Sequence, residues 1–159
     1  MREKICLLFL ITMLLFIPPA CQKKTEADKI RAVISDVQKS AEQKKIMTIL
    51  GQVSKVYQDP QGNDYDALKG ILGFYFFRHQ KVSVFIPDVD VLVTGPTATA
   101  TFQALFAGRG SEEDTAKTFL PDAMSSYNFE VSFRQEDSAW KVVSARWEQA
   151  GQGAAIPRQ

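Results

Sequence analysis

A handful of side chains in this 159-residue sequence could carry chemistry. Cys21 is a thiol directly behind Pro18-Pro19-Ala20, placed to become an acylated chain end if the bond after Ala20 is cut. His79 is the single histidine, next to Arg78 at an expected helix end. It can serve as a general base near neutral pH or as a cation facing the helix C-terminus. Asp59 precedes Pro60 in a dense turn signal, which explains it without catalysis, while Tyr57 and Trp147 offer polar tips on apolar bodies. Asp88 and Asp90 flank an expected strand bend, and the run Glu112-Glu113-Asp114 reads as solvated acids. With one histidine, no further thiol outside the leader and no acids at ligand spacing, no transition-metal site is expected. Gly108-Arg109-Gly110 is not a phosphate loop, and no cofactor is expected.

The residues before Cys21 give that thiol its meaning. Arg2 and Lys4 form a basic head, Ile5 to Ile17 an apolar run broken only by Thr12, and Ala20 a small residue before the cut. That is the layout of an export signal. With the cysteine it resembles the lipobox of bacterial lipoproteins, although Pro18 stands where that family usually has leucine. The resemblance implies that residues 1–20, including Cys6, are removed and that Cys21 carries the fatty acyl chains. A retained spanning helix would need about 20 apolar residues, and this run is shorter and ends in two prolines. In an ordinary cleaved signal, Pro18 would have to be a small residue. Residues 21–25 then form a short tether holding the domain close to a bilayer. Gln22 stands where the family's inner-membrane proteins often carry Asp, which implies the periplasmic side of the outer membrane in a two-membrane cell.

Removing Arg2, Lys4 and Glu3 from 19 basic and 18 acidic side chains leaves 17 of each. That balance argues against a nucleic-acid partner, which would call for a basic excess. Lys23 and Lys24 could touch anionic head groups or simply be a solvated spacer.

The rest of the chain must supply a scaffold. Ile30, Val33, Ile34, Val37 and Ala41 fall at three- and four-residue steps and predict a first helix, capped by Thr25 or Asp28. Ile46 to about Tyr57 predicts a second. After the Asp59–Asp64 turn, Asp64 caps a third helix carrying Leu68, Ile71, Leu72, Tyr75 and Phe76 to about His79. The period then becomes two. Val82, Val84 and Ile86, then Val89, Val91 and Val93, predict one curved strand with a bulge at Pro87-Asp88. Ala98 to Phe106 alternate as a long half-buried strand, Tyr127 to Phe133 as a third, and Trp140 to Trp147 as a fourth behind the Glu136-Asp137-Ser138 turn. Residues 150–159 read as a loose tail.

Three helices before four antiparallel strands make an α+β order. This order, with the closing Trp140-Lys141-Val142-Val143 and Trp147, resembles the nuclear transport factor 2-like (cystatin-like) superfamily over about residues 26–149. The resemblance implies three N-terminal helices packed as a cone on a curved antiparallel four-stranded sheet, with an apolar pocket in the cone. Its enzymes place Asp, His or Tyr there as acid or base. One of its patterns, with a first-helix Tyr and two Asp facing the cavity, is missing here. Ile30, Val33, Ile34 and Val37 fill the helix face, and Ala98, Ala100, Phe102, Ala104 and Phe106 fill the strand face.

The expectation is therefore a non-catalytic accessory domain, membrane-anchored through Cys21, binding a small apolar ligand or an envelope protein. Its possible pocket residues are Tyr57, Asp59, Phe74, Phe77, His79 and Trp147. Two alternatives stay open: an isomerase- or hydrolase-type lipoprotein enzyme using Asp59, His79 or Tyr57, and a structural component working as a homodimer. Dimerisation would use the uncharged outer stripe Thr97, Thr99, Thr101 and Gln103, which equally suits a plain solvent-facing strand.

Overall fold

Thr25 and Asp28 begin the fold with a reciprocal cap. The Asp28 N–H donates to Thr25 Oγ1 at 3.1 Å, and the Thr25 N–H donates to Asp28 Oδ2 at 3.0 Å, so both termini of the first turn are satisfied. The computed structural model describes residues 24–110 and 125–150. The leader, Ala20, Cys21 and the acidic run at 112–114 lie outside them. The helices are α1 (Glu26–Glu42), α2 (Ile46–Gly51) and α3 (Tyr65–Arg78). The strands are β1 (His79–Phe85), β2 (Asp90–Thr94), β3 (Thr97–Gly110), β4 (Ser125–Glu136) and β5 (Ala139–Gln149). Among the described residues no helix is long and apolar enough to cross a membrane. The α+β order and the curled antiparallel sheet are those expected.

β3 is the spine of the sheet. One of its edges pairs with β4 over residues 97–106, and β4 pairs with β5. The other edge is shared: β2 takes residues 97–101 and β1 takes residues 105–110. The single bent strand expected over 82–93 is thus two strands on one partner, which raises the count to five. Pro87 cannot donate to a ladder, and the chain leaves the sheet between Phe85 and Asp90.

Side chains of α1 close that break. Gln38 Nε2 donates to the Val84 carbonyl at 2.7 Å, Glu42 Oε1 accepts from the Val84 N–H at 3.1 Å, and Arg31 Nε donates to the Val89 carbonyl at 3.3 Å. An edge that could recruit another chain is thereby covered.

The second helix is shorter than its apolar spacing suggested. It stops at Gly51, and residues 52–58 run along the free edge of β5. Ser54 N–H donates to the Val142 carbonyl at 2.8 Å, Val142 N–H to Gln52 at 2.9 Å and Gln58 N–H to Val143 at 3.0 Å. Val53 and Tyr57 are buried, and this path, which turns at residues 54–57, satisfies β5 backbone groups that a helix would leave open.

At the narrow end of the cone the core is closed. Ile30, Ile34, Ala98, Ala100, Val131, Phe133 and Trp140 are all buried there. Alanines on β3 let α1 approach, and Trp140 Nε1 donates to Glu26 Oε2 at 2.8 Å. The hairpin between β4 and β5 turns through Asp137 and Ser138 at φ 47° and 66°, the twist that strands joined by a two-residue loop require.

Lys44 follows α1 at φ 55°, a conformation usually left to glycine. Its ammonium explains the exception, because Nζ donates to the carbonyls of Phe76, at 3.1 Å, and His79. A cation thus sits on the negative end of α3. Lys44→Met should lower the unfolding free energy by about 1–3 kcal/mol. Lys44→Gly should lose less, since relief of the left-handed backbone returns about 1 kcal/mol. Urea midpoints of the two variants check the order.

Candidate active site at the wide end of the cone

Towards the end of β3 the inner face changes character. Phe102, Phe106, Tyr127, Phe129 and Trp147 alternate inward there but stay half-buried, unlike the sealed residues at the narrow end. They form a continuous wall. Phe102 stacks on Phe129 with centroids 5.3 Å apart, Trp147 lies 6.3 Å from Phe129, and Phe106 meets Tyr127 edge-on at 5.9 Å. Such a surface receives a flat apolar molecule through stacking and area burial.

Two polar rings stand at the rim of this wall. Tyr75 and His79 are four residues apart at the end of α3, and their rings lie 4.5 Å apart. A bulge brings His79 inward. β1 spends two residues against one of β3 between His79 and Lys81, so His79 pairs with Gly110 in the inward register of Val82 and Val84. An unbroken strand would turn His79, three residues from Val82, to the outer face; a bulge re-aims it.

His79 Nδ1 is buried and meets no hydrogen-bond partner among the described residues. Ser126 Oγ is also without one, but strand alternation next to Tyr127 turns it to the other face. Burial, with a smaller push from Tyr127, raises the Tyr75 phenol above the ordinary tyrosine value. It therefore remains a protonated donor throughout the neutral range.

Tyr57 and Asp59 form a separate, self-contained unit. Asp59 is 5% exposed and accepts from Gln61 N–H at 3.0 Å, Asn63 N–H at 2.8 Å, Asn63 Nδ2 at 2.9 Å and the Tyr57 hydroxyl at 3.4 Å. The Tyr57 oxygen also receives the Ala145 N–H. Every lone pair of the carboxylate that could take a proton is already occupied, so the pair fixes the 59–64 turn against β5. No hydrogen bond or ring contact joins it to His79 among the described residues.

Phe74 and Phe77 do not line the cone: they point outward from α3, 64% and 90% exposed. Four aromatics in a row step by about 100° each, and the inward direction is taken by Tyr75 and Phe76. Trp147 belongs to the inner wall, while Cys21 and Ala20 lie outside the described residues. Tyr75 and Tyr127 were missed as polar site groups, because their spacing made them core fillers. The signal was the four-residue step from Tyr75 to His79, which puts both rings on one helix face.

A shallow groove of about 380 Å³ runs across the strands, lined by Asp90, Thr101, Asn128, Glu130, Arg146 and Glu148 of the outer face and also by Phe102 and Phe129. Its Arg146–Glu130 pair, at 2.9 Å, is solvent-exposed. Solvated charges there lack the burial that tunes an acid or base. Asp88 and Asp90 remain solvated beside the strand break.

No protein-family model and no curated protein sequence matches the chain. Solved structures do. A Novosphingobium aromaticivorans protein provisionally named scytalone dehydratase matches at TM-score 0.67 and 15% identity, over 78% of this chain and 83% of its own. A Streptomyces avermitilis protein, provisionally a dehydratase of the NTF2-like family, matches at 0.66 and 15%, over 77% and 95%. A second Novosphingobium protein, provisionally an aromatic ring hydroxylase, matches at 0.64 and 11%, over 80% and 92%. Against a Bdellovibrio bacteriovorus protein the match is 0.65 and 10%, over 82% of this chain but only 44% of the other.

These neighbours overturn the expectation of a non-catalytic domain, since dehydratases and a ring hydroxylase are among the proteins sharing the architecture. That expectation rested on the empty faces of the first helix and the long strand, whereas the polar rings here lie at the end of α3 and the start of β4.

Tyr57→Phe should cost about 1–3 kcal/mol by removing a donor from the buried Asp59 carboxylate. Burial, and then the Asp59 charge, raise the Tyr57 phenol well above its ordinary 10.0, so the folded chain holds a proton that the unfolded chain releases. Stability is therefore intact below pH 10.0 and declines as pH rises beyond it. Denaturation at stepped alkaline pH should show a flatter decline in Tyr57→Phe, the remainder coming from Tyr75. By element order, sheet and structural likeness alike, the chain carries the nuclear transport factor 2-like fold.

Proposed function

We propose that this chain is an envelope lipoprotein, cut after Ala20 and acylated on Cys21, whose cone catalyses acid–base elimination or isomerisation on a small ring-bearing apolar substrate. One observation carries the catalytic half: Tyr75 and His79 side by side at the end of an aromatic wall, with His79 Nδ1 buried and unpartnered among the described residues. The named dehydratases on the same fold support it, as does the leader's layout for the address. In a two-membrane cell that address is the periplasmic face of the outer membrane.

The reaction needs three groups. Phe102, Phe129 and Trp147 stack on the substrate ring and exclude water. The neutral Tyr75 phenol donates to a carbonyl and stabilises the charge that grows on its oxygen, while Tyr127 stands beside it. His79 takes the proton from the carbon next to that carbonyl. In elimination, the electron pair left behind expels the β-hydroxyl, and the imidazolium returns its proton to make water. In isomerisation, the same proton returns to a different carbon.

A panel of cyclic β-hydroxy ketones tests this, followed by the ultraviolet absorbance of the conjugated product. Turnover on some member is expected, falling about 10²–10⁴-fold in both His79→Gln and Tyr75→Phe. Unchanged turnover in those variants would defeat the assignment. Intact-mass analysis of the mature protein tests the address: a chain beginning at Cys21 with added acyl mass is expected. Cys21→Ala should leave the membrane fraction, and its retention there would defeat the anchor.

A further inference from the structure

Helix α3 is apolar on both sides. Leu68, Leu72, Tyr75 and Phe76 turn towards the core, while Ala67, Gly70, Ile71, Phe74 and Phe77 share the opposite face and are exposed. A helix apolar all round is normally enclosed. Among the described residues nothing covers the outer face, with Phe77 90% and Phe74 64% exposed. We infer that this face, Ile71, Phe74 and Phe77, lies against the lipid bilayer and sets the orientation of the anchored domain. The inference rests on the proposed acylation of Cys21.

Three observations favour lipid as the occupant. First, the chain between Cys21 and Glu26 spans at most about 17 Å when extended, so the start of α1 cannot stand far from the surface. Second, α3 is 14 residues long, about 21 Å. Lys44 ties its C-terminal end to the end of α1 remote from the tether, so a domain lying on its side brings both to the membrane. Third, the rim is basic. Arg78 sits over the Phe74 ring at 5.5 Å, Lys55 sits over the Tyr65 ring at 3.7 Å, and Lys69 is exposed. Only Asp66 opposes them on α3. Long cations can lay their stems on an aromatic face and keep their charge among phosphates. The tether keeps the local concentration of lipid high, so a face of two phenylalanines and an isoleucine is enough. Laid down in this way, the helix bearing Tyr75 would sit at the bilayer, where apolar ring compounds partition.

The acylated mature protein, with a nitroxide on Phe77→Cys, is placed in vesicles of phosphatidylethanolamine and phosphatidylglycerol. Collisions with oxygen, which enters lipid, are compared with those of a water-soluble nickel complex. The Phe77→Cys label should be reached by oxygen and shielded from nickel, whereas a label at Gln103→Cys on the outer sheet shows the reverse. Adding Phe74→Ser should restore nickel access at position 77. Nickel access equal to that of Gln103→Cys, on a chain whose mass shows acylated Cys21, overturns this inference and leaves the anchor standing. An unmodified Cys21 overturns both. Shielding from both reagents, with dipolar broadening between labels, assigns the face to a second copy and also overturns it.

Discussion

The rest of the structure depends on one constraint: two strands must share a single edge of β3. Nothing pairs with β3 between residues 101 and 105 on that side, so the sheet is free to bend there. α1 holds the bend. Gln38 and Glu42 treat the Val84 backbone as a neighbouring strand would, and Arg31 does half the same for Val89. Backbone groups that would otherwise face an apolar helix without partners are thereby satisfied. One side of the break then packs densely around Phe133 and Trp140. The other opens into the half-buried wall of Phe102, Phe129 and Trp147. The cone has a closed end and an open end because its edge is interrupted.

The same device positions Tyr75 and His79, the proposed acid–base pair. Lys44 fixes the end of α3 by its carbonyls, and α3 runs straight into β1 without a loop. The histidine at that junction inherits the helix's direction from Tyr75 and the sheet's register through the bulge. Two independent constraints on one residue are what preorganisation requires of an acid–base group. The Tyr57–Asp59 unit does different work: its hydrogen bonds are spent on the turn, and it stiffens the chain that protects the β5 edge.

Much of this was legible in the sequence. The stripe from Ile30 to Ala41, the Asp64 cap, the alternation of Ala98 to Phe106 and the turn at Asp137-Ser138 each follow from local chemistry. What escaped depended on contacts distant in sequence. Val53 and Tyr57 keep helical spacing, yet the chain there leaves the helix and turns along the open edge of β5. Val82 to Val93 reads as one strand, because periodicity cannot show that α1 will cover a gap. His79 could be placed at a helix end, but not on the inner face, since that depends on a one-residue bulge against Gly110. Phe74 and Phe77 were visibly surplus to one helix face. The sequence left open whether they line the cavity or a partner surface.

The central claim is that the open end of the cone, and not the charged groove on the far face, receives a ring-bearing molecule beside Tyr75 and His79. Nuclear magnetic resonance of the full-length protein during titration with p-nitrophenol tests it most directly, read from the His79 imidazole and the Phe129 and Trp147 rings. Concerted shifts of those signals that saturate with added phenol, with Glu130 and Arg146 unmoved, are the predicted result. Saturating shifts confined to Asp90, Glu130, Arg146 and Glu148 would contradict the account.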